Sequence, residues 1–169
     1  MNLRKSLFLV SSLLVAGLFT SAQMAEQRKS PHDTLRAKDF TVTYGRPYKK
    51  GREIFGKLEP YGKVYRCGAD EATTITFPKD GSFGGKPVKA GTYALFVIPT
   101  ETKWTVILNS NPKQWGAYDY EKNKDKDVLQ VDVPVVTLSA PVEQLTMAAP
   151  ANQLTITWDK TKVAVPVSF

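Results

Sequence analysis

The chain has very few of the residues that bind transition metals or form covalent cross-links, with one cysteine and one histidine among 169 residues. A single residue of each type excludes a disulfide framework, a Cys/His zinc site and a Cys–Cys redox pair. After residue 22, no stretch of about eleven or more residues has a convincing helical period. The composition is that of one ordinary soluble domain, and no motif identifies a reaction.

The first 22 residues have the pattern of a secretory signal peptide. Arg4 and Lys5 form a basic start, Leu7–Phe19 is a largely apolar stretch, and Thr20–Ala22 supplies small residues at a cleavage point. A membrane anchor is the alternative. However, the apolar stretch is shorter than the roughly 20 residues that span a bilayer, and no basic flank follows it.

These features predict cleavage near Ala22 and a periplasmic or secreted mature protein with no stable membrane insertion. No cysteine follows the apolar stretch directly, so lipid attachment is not available at that point. The formal net charge is +7, but the basic residues alternate with acidic ones, as in residues 121–127. Because there is no basic stripe, we expect no nucleic-acid partner. We also expect no cofactor.

From Phe40 onward, apolar and polar residues alternate with a period of two, which is typical of half-buried strands. Residues 92–98 and 104–108 are apolar on both faces, as expected for central strands that are covered on each side. We predict about nine strands. They lie at residues 40–44, 63–67, 73–77, 92–98, 104–108, 128–133, 144–147, 154–158 and 162–168.

Many short strands separated by turn signals predict an all-β fold, an antiparallel β-sandwich or jelly roll. The best helical candidate is one turn at Arg52–Phe55. Residues 23–38 are polar, lack alternation and predict an extended lead-in. Residues 39–169 contain no internal repeat and predict a single domain. Gly84–Gly91 lacks the spacing of a phosphate loop and is interpreted as a turn.

The most unusual part of the chain concentrates arginine and glycine outside the alternating pattern. It contains YGRP at 44–47, KGREIFG at 50–56 and YRCGADEAT at 65–73. Together with AGTYALF at 90–96 and WGAY at 115–118, these runs resemble the domain of unknown function 2911, a family of small exported bacterial proteins. The resemblance covers most of the chain after the signal peptide.

Two positions depart from the family pattern. Tyr65 stands where tryptophan is usual, and Asp70 stands where asparagine is usual. Both keep an aromatic ring or a small turn-forming polar group, so membership still follows. The resemblance implies a shared fold. It implies nothing about activity, substrate or catalytic residues, because none of these is established for the family. The function must therefore be argued from the residues.

Arginines on connections are the first candidates for binding, because sandwich domains carry their binding groups on loops. Arg66 and Glu71 flank a turn-like segment, so their side chains could meet across a hairpin, either in a binding site or as a structural ion pair. Arg46 and Arg52 also lie on connections. Each could bind an anion or sugar hydroxyls, or could hold its loop by bonding backbone carbonyls.

A second candidate is the aromatic, turn-rich connection at residues 109–120. Trp115, Tyr118 and Tyr120 could stack on a sugar face or cover an end of the core. His32, in the lead-in, is expected to be solvated rather than a general base. The predicted ligand-binding residues are Arg46, Arg52, Arg66, Glu71, Trp115 and Tyr118.

Two more specific expectations concern the segment around Cys67. Alternation places Cys67 on the same side as Tyr65, which predicts a buried and reduced thiol. We also expect Arg52, Arg66 and Glu71 to form one polar cluster, in which Glu71 orients Arg66 and Arg52 faces a ligand. If the cluster is instead a loop clamp, removing Arg52 should destabilise the fold.

Three hypotheses for the function remain open at this stage. The leading one is an exported, non-enzymatic module that binds an envelope glycan or a small anionic molecule. The second is a glycan hydrolase that uses two loop carboxylates, from Asp70, Glu71, Asp119 and Glu121. The third is a structural module that binds protein. Two facing carboxylates about 5 to 10 Å apart would favour hydrolysis.

Overall fold

A computed structural model describes residues 28–169, so the predicted signal peptide lies outside the described residues. Within this range the chain forms ten strands in two antiparallel sheets, which confirms the predicted all-β sandwich. The strands are β1 (His32–Arg36), β2 (Thr41–Gly45), β3 (Thr74–Phe77), β4 (Gly81–Phe83), β5 (Lys86–Val88), β6 (Gly91–Pro99), β7 (Lys103–Asn109), β8 (Asp127–Pro134), β9 (Val136–Ala148) and β10 (Gln153–Ser168).

The larger sheet has the strand order β1-β2-β3-β6-β7-β8, and the smaller sheet has the order β5-β4-β10-β9. The alternation in the sequence explains which face of each strand is buried. Val42 and Ile75, for example, are fully buried between the sheets, whereas Thr41 and Thr76 point outward. An aromatic group lies at the centre of the core, where the Phe55 ring centroid is 4.8 Å from that of Trp104 and 6.1 Å from that of Trp158.

A second, smaller apolar cluster lies on the outer face of the larger sheet. Phe96 and Ile107 point outward from the central strands β6 and β7, and both are fully buried. Tyr120 covers them at a ring-centroid distance of 5.0 Å from Phe96. Tyr120 begins the short helix α1 (Tyr120–Asn123), so the connection that follows β7 is held against this face. The predicted two-sided burial of residues 92–98 and 104–108 is therefore confirmed.

The predicted strand at residues 63–67 was wrong. Only a single bridge forms there, between Tyr65 and Val97. Cys67 and Asp70 have φ values of +51° and +64°, in the left-handed region, so the backbone turns instead of continuing as a strand. The predicted helical turn at Arg52–Phe55 was also wrong, because those residues lie in a turn-rich loop.

Three strands, β1, β4 and β5, form where none was predicted. β1 pairs with β2 from His32 opposite Gly45 to Arg36 opposite Thr41, so the sheet begins within the segment interpreted as a lead-in. As an edge strand, β1 has only partly buried residues, which explains the missing alternation. β5 forms where a turn was expected. It pairs with β4 across Gly84-Gly85, whose positive φ values suit a two-residue hairpin.

Short helical segments follow β7 at residues 120–126. No helix between residues 28 and 169 has both the length and the apolar character needed to cross a membrane.

We predict that the Cys67 thiol is unreactive in the native protein. Cys67 has no exposed surface, and burial, with a further contribution from the charge of Glu59, raises the pKa of the thiol far above its usual range. The thiolate is the reactive species. Labelling by a water-soluble thiol reagent should therefore be more than about a hundredfold slower in the folded protein than in denaturant.

Rapid labelling of the native protein would contradict this prediction. Cys67→Ser should cost about 1 to 3 kcal/mol in the free energy of unfolding, because it places a hydroxyl in an apolar site. Denaturant titration of both proteins measures this difference.

Candidate functional site

A cleft with a largely apolar lining lies on the outer face of the larger sheet, and we call it the main cleft. It lies between the N-terminal segment Arg28–His32 and the loop Pro112–Trp115, and its volume is about 660 Å³. Thr43 of β2 and Thr74 of β3 form its floor. These two threonines are directly paired across the strands. Their side chains share the face opposite the core residues Val42 and Ile75, so the site stands on a rigid part of the sheet.

A charged cluster forms one end of the main cleft. Both Nε and Nη2 of Arg28 lie 2.8 Å from Glu71 Oε1. His32 Nε2 lies 3.3 Å from Asp70 Oδ2 and also 3.3 Å from Glu71 Oε2. The His32 side chain is only 13% exposed, so the expectation of a solvated histidine was wrong. Pairing with β2 explains this placement, because it directs His32 to the same outer face as Thr43.

Asp70 attaches the N-terminal segment to this end of the cleft. Its two carboxylate oxygens accept hydrogen bonds from the backbone N–H groups of Lys29 and Ser30, each at 3.1 Å. The left-handed backbone of Asp70 is tolerated best by short polar side chains that bond locally or by glycine. Asp70 is therefore a structural acceptor, because both of its oxygens already accept hydrogen bonds. Glu71 is the carboxylate that can still accept a hydrogen bond through Oε2.

Two buried oxygen atoms among the cleft-lining residues have no hydrogen-bond partner within residues 28–169. They are Glu71 Oε2 and Gln114 Oε1. The Gln114 amide is held by its nitrogen, which donates to Asn109 Oδ1 at 3.2 Å and to the Asn111 carbonyl at 2.7 Å. Unpartnered buried acceptors are uncommon in folded proteins and call for an explanation. Both would be satisfied by hydrogen-bond donors.

A smaller pocket lies on the other side of the same loop, and we call it the Arg66 pocket. Its volume is about 290 Å³, and it is lined by Glu59, Val64, Tyr65, Arg66, Ala117 and Tyr118. The Tyr118 ring lies 5.8 Å from the guanidinium carbon of Arg66, a cation–π arrangement. Gly116 leaves room for the guanidinium, since a Cβ atom at that position would collide with Arg66 Nη1.

The charged groups of the Arg66 pocket do not pair with one another. Arg66 Nε is buried and has no hydrogen-bond partner among the described residues. Glu59 is close enough to be influenced by Arg66 and Arg52 but forms no ion pair with either within residues 28–169. Burial raises the pKa of Glu59 to about 7, and the two arginines offset only part of this effect.

The expected cluster of Arg52, Arg66 and Glu71 does not form. The turn at residues 67–70 directs Arg66 into one pocket and Glu71 into the main cleft, where its partner is Arg28. Arg52 donates from Nε to the Lys49 carbonyl at 2.9 Å and from Nη2 to the Tyr48 carbonyl at 2.6 Å. It is the loop clamp that the sequence analysis had left as the alternative.

Arg46 also forms its hydrogen bonds with other residues of the protein, so its guanidinium is not directed to a ligand. Its guanidinium donates to the Leu145 carbonyl at 3.1 Å and to Thr146 Oγ1 at 3.1 Å, and it lies 3.2 Å from Asp33 Oδ2. Arg46 therefore links β1 and the end of β2 to β9 of the other sheet. Of the six residues predicted to bind a ligand, Glu71 and Trp115 line the main cleft, and Arg66 and Tyr118 line the Arg66 pocket.

Arg28, Glu59 and Gln114 were not predicted from the sequence, and the prediction for His32 was wrong. Arg28 and His32 lie about forty residues before the carboxylates that they contact, in a segment without alternation. Such long-range pairing leaves no local periodic signal. Gln114 had a weak signal, because it lies between Asn111 and Trp115 in a loop already selected for its aromatic residues.

We predict that Arg52→Ala lowers stability by about 1 kcal/mol, or about 2 to 4 °C in melting temperature, because two charge-assisted hydrogen bonds to an exposed loop are lost. Thermal unfolding followed by circular dichroism measures the change. Arg36→Ala is the matched control, since Arg36 is exposed on the edge strand β1. An equal melting temperature for Arg52→Ala and the wild type would rule out the clamp.

Glu59→Gln should stabilise the protein at alkaline pH. The folded-state pKa of Glu59 is about 7, above the ordinary value of 4.5. The proton therefore contributes stability that is fully present below about pH 4.5 and is lost as the pH rises through 7. Glutamine does not titrate, so the variant should be about 1 kcal/mol more stable relative to wild type at pH 8 than at pH 5. Urea unfolding at both pH values tests this, and an equal difference would contradict it.

Comparison with known proteins places the chain in a family and identifies no activity. No curated protein and no solved structure matches the chain at a significant level. One family model, described as a protein of unknown function (DUF2911), matches residues 26–167. This match includes both pockets and nearly the whole chain. The protein therefore belongs to the DUF2911 family.

Proposed function

We propose that the protein is an exported, non-enzymatic binding module of the cell envelope whose main cleft takes a glycan. The observation that carries the proposal is the combination, in one cleft, of the half-buried Trp115 with two acceptor oxygens that accept no hydrogen bond within residues 28–169. They are Gln114 Oε1 and Glu71 Oε2, and the second lies 3.3 Å from His32 Nε2. Sugars offer a flat apolar face to an aromatic ring and hydroxyl donors at their edges. The signal-peptide pattern of residues 1–22 supports a location where envelope glycans are found.

The polarity of the free groups favours a neutral glycan over an anion at the main cleft. Glu71 Oε2 and Gln114 Oε1 are acceptors, so they are matched by hydroxyl donors and opposed by a carboxylate or phosphate. Of the basic side chains that line the cleft among the described residues, Arg28 is already bonded to Glu71 and His32 lies between the two carboxylates, while Lys113 is exposed. In this proposal Arg28 orients Glu71, while Thr43 and Thr74 offer further hydroxyls from the floor.

The geometry of the carboxylates disfavours glycan hydrolysis. A hydrolase needs two carboxyl groups on opposite sides of the scissile bond. Here His32 Nε2 lies 3.3 Å from both Asp70 and Glu71, so the imidazole occupies the space between them. Both oxygens of Asp70 are also held by backbone N–H groups. Exposed apolar side chains such as Leu58 and Val136 are of a kind common on monomeric proteins, which gives the protein-binding hypothesis little support.

Tryptophan fluorescence offers a direct test. Trp104 and Trp158 are 1% exposed, so a ligand in the main cleft should change mainly the emission of Trp115. We expect at least one of chitotriose, cellotriose and maltotriose to change this emission saturably. Trp115→Ala should weaken binding of that sugar about tenfold or more, measured by calorimetry, because stacking is lost.

The matched control is Tyr61→Ala, which removes an exposed aromatic residue outside the cleft and should leave sugar binding unchanged. Equal affinity of Trp115→Ala and the wild type would reject the main cleft as the glycan site. Release of shorter sugars on prolonged incubation, detected by chromatography, would reject the non-enzymatic proposal.

A further inference from the structure

The Arg66 pocket contains a charged side chain that the fold positions but does not use. Arg66 Nε is buried without a partner among the described residues, although a guanidinium has five N–H donors to satisfy. Leaving such a donor unmatched inside a protein is costly, and structural arginines avoid this cost by bonding carbonyls. Arg46 and Arg52 of this chain do so, with two carbonyl or hydroxyl acceptors each.

The surroundings of Arg66 hold it in place. Gly116 packs directly against the guanidinium, where any larger residue would collide with it. Tyr65 lies in the same wall, and its hydroxyl donates to the Gly68 carbonyl at 3.0 Å. A guanidinium confined by its neighbours loses less side-chain freedom when a ligand binds it, which lowers the entropy cost of binding.

Tyr118 gives the pocket an aromatic surface that the fold itself does not need. Tyr118 is 77% exposed, the most exposed of the large apolar residues between 28 and 169, and its ring centroid lies 5.8 Å from the guanidinium carbon of Arg66. Because few atoms pack on this ring, moving it aside costs little. An exposed aromatic ring beside an unpartnered guanidinium is suited to a molecule with both an anionic group and a flat apolar part.

We propose that the Arg66 pocket is a second binding site, separate from the main cleft, which takes a small carboxylic acid. The carboxylate accepts hydrogen bonds from the Arg66 guanidinium, and the apolar part of the acid packs against Tyr118 and Val64. The volume of about 290 Å³ fits a small molecule rather than an extended chain. The loop Gln114–Tyr118 separates the two sites, since its first residues line the main cleft and its last residues line this pocket.

Glu59 makes this site sensitive to pH. The titratable and charged groups that influence Glu59 are Arg66 and Arg52, and Glu59 in turn affects the buried Tyr65 and Cys67. Since the pKa of Glu59 is about 7, its carboxyl is mostly protonated at pH 6 and can donate to a bound carboxylate. At pH 8 its negative charge repels the same ligand.

The test uses benzoate as the probe and benzamide as its neutral counterpart, with the mature protein in an NMR titration that follows the arginine Nε–H resonances. We expect benzoate to shift the Arg66 Nε–H resonance and to bind at least tenfold more tightly than benzamide at pH 6. Arg66→Gln should weaken benzoate binding at least tenfold, and Arg36→Ala should leave it unchanged. If Arg66→Gln does not fold, Tyr118→Ala replaces it, because the exposed ring is not needed for folding.

The pH dependence of benzoate binding is the second part of the test. Benzoate affinity should fall about tenfold between pH 6 and pH 8 in the wild type and should stay constant in Glu59→Gln. Equal binding of benzoate and benzamide, a benzoate-induced shift confined to the Trp115 indole, or an unchanged pH dependence in Glu59→Gln would overturn the proposal. None of these outcomes depends on whether a sugar binds in the main cleft.

Discussion

The turn between Arg66 and Glu71 determines where these two charged side chains lie. Thr73 Oγ1 donates to the Cys67 carbonyl at 2.9 Å, and Cys67 and Asp70 both adopt left-handed backbone conformations. The turn packs so closely on β2 that a Cβ atom at Gly45 would collide with the Ala69 backbone. The turn is thereby locked to the sheet, and it directs two neighbouring charged side chains to opposite sides of one loop.

The loop Pro112–Tyr118 gives the two pockets their different chemistry. The Ala72 N–H donates to the Gln114 carbonyl at 3.0 Å, which docks the loop beside the start of β3. On one side, the residues that line the main cleft include two buried acceptor oxygens without a hydrogen bond among the described residues. On the other side, the Arg66 pocket presents an unmatched donor. Two neighbouring sites of opposite polarity would select different ligands, because a buried unpaired group discriminates strongly between partners that satisfy it and partners that do not.

The local pattern of apolar and polar residues predicted the position of a strand correctly where that pattern reflects which faces of the strand are buried. The alternation at 40–44 and 154–158, and the double-sided apolar character of β6 and β7, correspond directly to burial in the structure. Prediction was wrong where this signal is missing or misleading. β1 is an edge strand with partly buried residues, and residues 63–67 look apolar because Tyr65 and Cys67 face the core from a turn.

The sequence alone determined the all-β class and the family, because these depend on periodicity and on motifs within short windows. The predicted burial of Cys67 is confirmed, but it results from a turn and not from the strand alternation on which the prediction rested. It also selected Glu71, Arg66, Trp115 and Tyr118 as residues of interest. Only the tertiary structure decided their partners. Arg28 reaches Glu71 from 43 positions away, and Arg66 Nε has no hydrogen-bond partner within residues 28–169, because the turn directs Arg66 away from Glu71. Contacts between residues so far apart are set by how the sheet and its loops pack, which no local pattern records.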